Sequence, residues 1–276
     1  MSGANGKNCR IICCANQKGG TGKTTTAWNL GYALAKEGQS ILMVDFDPQA
    51  NLSMSFGIES VDDVATSMSD ILAMMMNADD ADEIPDMGQY ICKGDRPDMV
   101  LDIIPANQNL SVTEINLRNE VGGEQTLSEL LAPFRELYNF IIIDTNPYLG
   151  LLTINALTAC DEVIIPSSPQ LWSATGLTDL LQSISKVKRK LNKKITIGGI
   201  LLTMWDERTT LCRDTKALIL ETYGGNIRIY ETHIPNTVHV GKANYYSQSI
   251  IEYDPTCKAA TAYVNFAKEV LANVSK

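Results

Sequence analysis

The stretch that most constrains this chain is Lys18-Gly19-Gly20-Thr21-Gly22-Lys23-Thr24-Thr25, which follows the apolar run Ile11-Ile12-Cys13-Cys14 and leads into a helical pattern from Lys23. An apolar run, a glycine loop and a helix in that order predict a strand–loop–helix unit. Glycines let successive backbone N–H groups turn inward around phosphate oxygens, and the helix N-terminus adds the positive end of its dipole. In that geometry Lys23 reaches the β- and γ-phosphates and the Thr24 hydroxyl ligates Mg²⁺. The expected ligand is a nucleoside triphosphate with magnesium, held by Gly19, Gly20, Thr21, Gly22, Lys23, Thr24 and Thr25.

The rest of the chain repeats the alternation of short apolar runs and longer helical patterns. Strands are expected at residues 10–15, 40–44, 100–105, 140–144, 162–166 and 195–203. Helices are expected at 23–37, stopped by Gly38, at 66–77, at 125–137, from Ala174 onward, and in a closing segment to about Val274. This predicts an α/β fold with a doubly wound, mostly parallel sheet flanked by helices, whose ligands bind at the carboxyl ends of the strands. With 276 residues, 45% of them hydrophobic, the chain is expected to form a single domain over 1–276.

Two acidic motifs fall at those carboxyl ends. The strand ending at Val44 runs into Asp45-Phe46-Asp47-Pro48-Gln49-Ala50-Asn51, and Phe140-Ile141-Ile142-Ile143 ends in Asp144-Thr145-Asn146-Pro147. Ionised carboxylates beside a phosphate loop order Mg²⁺-bound water or position the water that attacks the γ-phosphorus. Asp47 and Asp144 are therefore candidate magnesium residues beside Thr24, with Asp144 acting through water.

Composition narrows the setting. A net charge of −9 argues against a surface that coats nucleic acid, because non-specific DNA affinity comes from lysines and arginines that displace counterions. Any DNA contact must be a local patch. The seven cysteines contain no C-x-x-C pair, which suits a reduced, cytoplasmic protein without a metal–thiolate site. Residues 1–10 lack a signal-peptide core, and no apolar run approaches the ~20 residues a membrane span needs.

The form K-G-G-T-G-K-T-T departs from the common phosphate loop by its early lysine, and in this it resembles the deviant Walker A box of the ParA/MinD superfamily. The resemblance implies that Lys18 crosses a dimer interface to the partner's phosphates, so that MgATP draws two subunits together. It implies catalytic roles for Lys18, Lys23 and Asp47, since D-x-D-P-Q-x-N resembles switch I of ParA/Soj proteins. Asp144-Thr145-Asn146-Pro147 corresponds to switch II, where the family usually has D-x-P-P; Asn146 departs from it. Met204-Trp205-Asp206-Glu207-Arg208-Thr209 resembles the family's T-M-x-D-x-R-T loop, and Ile234-Pro235-Asn236-Thr237-Val238-His239-Val240 its I-P-R-N-V-R-L segment. These place Met204, Pro235 and Asn236 beside the adenine. The region 59–99 becomes an insertion, with Asp79–Glu83 expected as a solvated acidic loop and Met74–Met76 as packing.

By the same resemblance the function is ATP-dependent partition of plasmid or chromosomal DNA, with non-specific DNA and a ParB-like centromere-binding protein as partners and no membrane. Two family arginines are replaced by Asn236 and His239, so DNA contact is expected from Arg208, Lys242, Lys188 and Arg189, the last two inside the basic run Lys186–Lys194. The alternatives are an ATPase that positions a protein cargo and a metabolic enzyme that transfers phosphate to a small molecule.

Overall fold

A computed structural model describes residues 9–58, 60, 66–77, 87–169 and 174–273. The expected acidic loop Asp79–Glu83, most of residues 1–10 and the last residues of the closing helix lie outside that range.

The strands are β1 (Arg10–Cys14), β2 (Ile41–Phe46), β3 (Leu101–Ile104), β4 (Phe140–Thr145), β5 (Glu162–Ser167) and β6 (Thr196–Leu202). They pair in the order β3-β2-β4-β1-β5-β6, and every neighbouring pair is parallel. The chain moves outward from β1 to β2 and β3, returns to insert β4 beside β1, then moves out the other way. This reversal puts the crevice for a ligand over the ends of β1 and β4.

Strands buried on both faces need apolar side chains on both, and the alternation sorts them. Ile11, Cys13, Val44, Ile141, Ile143 and Val163 enter one core. That core packs against α3 (Met68–Asn77), α4 (Leu110–Leu117), α5 (Thr126–Leu131), α6 (Leu151–Ala159), α7 (Ala174–Lys190) and α8 (Thr210–Tyr223). Ile12, Cys14, Met43, Ile142 and Ile164 enter the other, against α1 (Lys23–Lys36), α2 (Asn51–Phe56), α9 (Val238–Tyr245), α10 (Ile250–Tyr253) and α11 (Lys258–Ala272). Of these, α2, α4, α6, α8, α9 and α10 were not among the expected helices.

Two expectations are corrected. The helix expected over 125–137 stops at Leu131, and Pro133–Glu136 forms a 3₁₀ turn instead. Pro133 has no N–H to donate, so the helical hydrogen bond at its position cannot form. The second strand runs two residues further than expected, to Phe46, so Asp45 lies inside the sheet, in register with Asp144.

The described part of the 59–99 insertion is integrated. Cys92 exchanges two backbone hydrogen bonds with Ile103, of 2.8 and 2.9 Å, in an antiparallel bridge that covers the free edge of β3. Arg96 lies over the rings of Trp28, Tyr32 and Phe56 at 5.5, 5.8 and 5.6 Å, and pairs with Glu252 at 3.4 Å. Met75 and Met76 pack against the core as expected, whereas Met74 is exposed.

Trp28 is fully buried at the centre of that cage, with Phe56 edge-on at 5.7 Å. Trp28→Ala is expected to lose about 3–5 kcal/mol of stability, measured by urea unfolding, because it removes a large side chain from between α1, α2 and Arg96 at once.

Candidate functional site

The loop after β1 takes its shape from two glycines in left-handed conformation, Gly20 at φ 73° and Gly22 at φ 85°. It is pinned at both ends: the Asn16 side chain donates to the Pro166 carbonyl at 2.7 Å, and the Thr203 hydroxyl to the Thr21 carbonyl at 2.8 Å. Lys23 reaches back across the loop and donates to the Lys18 carbonyl at 3.2 Å, so its ammonium lies where it can meet a phosphate chain. The Lys18 side chain is exposed and has no ion-pair partner among the described residues.

The loop walls a cavity of about 530 Å³. Gly19, Gly20, Gly22, Lys23, Thr24 and Thr25 line it, with Asp47 and Pro147 from the two acidic motifs. Gln49, Asn51, Met54 and Ser55, from the turn after β2 and from α2, also line it; the last three come with a short helix that carries no periodic signal. A smaller cavity of about 260 Å³ adjoins it, lined by Met204, Pro235, Asn236 and Thr237 among others. The expected adenine residues therefore share one slot beside the phosphate loop.

Behind the loop lies a dry group of charges. Asp144 is fully buried, and neither of its oxygens makes a hydrogen bond of good geometry among the described residues. Burial raises its pKa well above the usual carboxylate range and nearby Asp45 adds to this, against the opposing effects of the Thr24 hydroxyl and the Lys23 ammonium. Burial likewise raises Asp47, with the Gln49 N–H and Lys23 opposing, and lowers Lys23, with Asp144 and Asp47 opposing. Asp144 and Asp47 thus face one lysine, with Asp45 beside Asp144 adding a third carboxyl to the group. An oxygen-rich, charge-deficient crevice with an unpartnered carboxylate beside Thr24 fits a hard divalent cation such as Mg²⁺. Asp144 does not itself line the cavity.

Asp45 was grouped with Asp47 in the sequence, but it does a different job. Its Oδ2 accepts from the Ser53 N–H at 2.8 Å and the Ser53 hydroxyl at 2.7 Å, and its Oδ1 from the Asp47 N–H at 3.3 Å. It fixes the turn that carries Asp47. On the other motif, the Thr153 hydroxyl lies 2.5 Å from the Tyr148 carbonyl and 3.0 Å from the Asn146 side chain. A hydroxyl has one proton to give, and Thr153 shares it between two acceptors, the Tyr148 carbonyl and the Asn146 Oδ1. Glu114 of α4 caps α6, accepting from the Leu151 N–H at 2.7 Å.

The four expected DNA residues do not converge. Arg208 is held in a two-pronged pair by Asp206, at 2.9 Å from Nε and 2.9 Å from the terminal nitrogen. That pairing draws the Asp206 carboxyl down to about 2. Lys242 is exposed on α9. Lys188 and Arg189 end α7, which crosses back between parallel β5 and β6, so they lie at the opposite end of the sheet from the phosphate loop. His239 pairs with Asp254 at 2.8 Å.

The comparisons agree with this geometry. A family model described as an AAA domain matches residues 9–197. Over 264 residues the chain is 41% identical to the sporulation initiation inhibitor protein Soj of Bacillus subtilis, covering 96% of this chain and 99% of that one. This chain belongs to the ParA/MinD family. It is also 35% identical to the chromosome partitioning protein ParA of Caulobacter vibrioides, over 95% of this chain and 94% of that one. A Mycobacterium smegmatis structure with ADP and magnesium, named cobyrinic acid a,c-diamide synthase, is 30% identical, with a TM-score of 0.81 over 97% of this chain and 96% of its own. Family membership accounts for the fold and for the phosphate loop. Among the described residues no helix is long and apolar enough to cross a membrane.

The buried acids make a pH prediction for the ligand-free chain. Burial raises Asp45 to about 6, with its Ser53 hydrogen bonds opposing. A raised carboxyl favours the folded state while both states are protonated, and that advantage is lost as pH rises through the folded pKa. Asp45→Asn is therefore expected to flatten the fall in stability between about pH 4 and pH 6, by up to roughly 3 kcal/mol, followed by urea unfolding at stepped pH.

Proposed function

We propose that the whole chain acts as a ParA/Soj-type ATPase that partitions DNA. The observation that carries this reading is the buried, unpartnered Asp144 behind a phosphate loop that also carries an exposed, unpaired Lys18. MgATP binds with its phosphates against Gly19–Thr25 and its base in the slot bordered by Met204, Pro235 and Asn236. The Thr24 hydroxyl, with Asp47 and Asp144 acting through water, would hold magnesium, which would supply positive charge to the triphosphate. On binding, Lys23 exchanges the Lys18 carbonyl for phosphate oxygens.

Lys18 extends from the loop to the nucleotide of a second subunit, which makes ATP part of a homodimer interface. Asp47, held by its turn, orients the attacking water. Loss of the γ-phosphate releases the contacts that hold the Asp47 turn and the Asn146–Tyr148 segment, and the dimer weakens. The partners of the cycle are non-specific DNA, bound by the dimer, and a ParB-like protein that accelerates hydrolysis.

A second reading, an ATPase that positions a protein cargo, is favoured by one observation: Arg208 is engaged by Asp206, and Asn236 and His239 stand where the family has arginines. A metabolic reading, suggested by the similarity to the M. smegmatis protein, predicts turnover that depends on a small-molecule acceptor.

Two experiments divide these readings. Lys18→Gln should still bind ATP as a monomer but lose the ATP-dependent dimer; unchanged dimer by light scattering refutes the trans lysine. Asp47→Ala should bind ATP, hydrolyse it slowly and hold non-specific duplex DNA only with ATP, more weakly as salt rises. ATP dimers without DNA binding would move the function to protein cargo.

A further inference from the structure

The phosphate cavity and the base slot share four residues, Gly22, Thr25, Met204 and Asn244. A nucleotide with its phosphates in one and its base in the other carries its ribose across that junction. Gly22 and Met204 offer no side-chain hydrogen bond to a sugar hydroxyl. Thr25 belongs to the first turn of α1, among the amides that face phosphate. Asn244 comes from a separate element, α9, and among the described residues its side-chain amide makes no hydrogen bond. A carboxamide both donates and accepts, which suits a hydroxyl that does the same.

The neighbouring chain holds Asn244 in place. Ala243, the residue before it, is buried in the core, and the N-terminus of α9 is capped by the Thr237 hydroxyl, which accepts from the His239 N–H at 3.3 Å. Downstream, the Gln248 N–H donates back to the Ala243 carbonyl at 3.0 Å. The amide therefore stands on a fixed helix, with a free polar end at the one place where the two cavities meet.

We infer that Asn244 is a ribose-reading residue: it hydrogen-bonds the 2′- or 3′-hydroxyl of the bound nucleotide and so discriminates a nucleotide that carries that hydroxyl from one that lacks it. The inference rests on the nucleotide reading above and adds to it a specificity that the phosphate loop cannot supply, since the loop contacts only phosphate. A site built to pair a hydroxyl rejects the analogue that lacks it, because its polar group is then left unpaired.

The test uses ADP, 2′-deoxyADP and 3′-deoxyADP with magnesium, titrated calorimetrically into the full chain, so that neither hydrolysis nor ATP-dependent association enters. The wild type is expected to bind ADP roughly three- to tenfold more tightly than one of the two deoxy analogues, the range for one neutral hydrogen bond. Asn244→Ala should weaken ADP to about the level of that analogue and leave the analogue itself nearly unchanged, so the ratio falls to about one. Asn244→Leu keeps the volume without either polar atom and should give the same ratio, which guards against a poorly folded alanine variant.

A merely structural role would weaken all three nucleotides together and keep the ratio, and that result overturns the inference. So does a wild type that binds all three equally. A wild type that binds ADP in no form overturns the nucleotide reading itself, an outcome distinct from a lost ratio in a protein that still binds.

Discussion

The site depends on one electrostatic constraint: Asp45, Asp47 and Asp144 share a dry crevice with a single lysine. Parallel pairing creates the problem, since it sets Asp45 of β2 level with Asp144 of β4 at the ends of neighbouring strands. Each carboxylate meets it differently. Asp45 is satisfied by Ser53 and the Asp47 N–H, Asp47 is partly satisfied by the Gln49 N–H, and Asp144 has no hydrogen bond of good geometry among the described residues. Deficits of this kind concentrate where a ligand brings the missing charge. The crevice is therefore tolerable in the folded chain and improved by a divalent ion.

The same residues connect the crevice to the helices around it. Ser53, which serves Asp45, also accepts from the Ala106 N–H at 3.0 Å, so the Asp47 turn is joined to the segment after β3. Asn146 and Tyr148 are joined to α6 through Thr153, and α6 to α4 through Glu114. Gly150 leaves room for that last bond; a Cβ there would stand 2.2 Å from Glu114 Oε1. Each acidic motif is thus tied by hydrogen bonds to a neighbouring element. The bonds are short and directional, so they are kept or lost rather than stretched.

Much of this was legible in the sequence because it is written locally. The phosphate loop needs glycines at fixed spacing, and Asp47 and Asp144 follow apolar runs whose direction the alternation of elements sets. What the sequence hid is relational. The serine that serves Asp45 lies eight residues away on a short helix that carries no periodic signal. The break at Pro133 could have been read from the proline alone, and was obscured by the apolar pattern on either side of it. The cage around Arg96 gathers α1, α2 and the insertion, and nothing in the local pattern announces it. Arg208 shows a different limit: a motif match singled out the arginine, while the aspartate two residues earlier accepts hydrogen bonds from its side chain.

That last pairing bears on how a chain of net charge −9 could hold DNA at all. Affinity without sequence preference grows with the number of phosphates neutralised. On the side of the phosphate loop one subunit offers exposed cations that include Lys18 and Lys242, while Arg208 is paired with Asp206. Lys188 and Arg189 cannot add to these, because they sit at the other end of the sheet. In the proposed dimer, two subunits joined through their nucleotides would double the charge on the loop side and carry two basic α7 ends outward. On that reading, a low basic content per subunit would make DNA attachment depend on the dimer, and through the dimer on ATP. A chain with a strongly basic surface would bind DNA in every nucleotide state and lose the timing that hydrolysis provides.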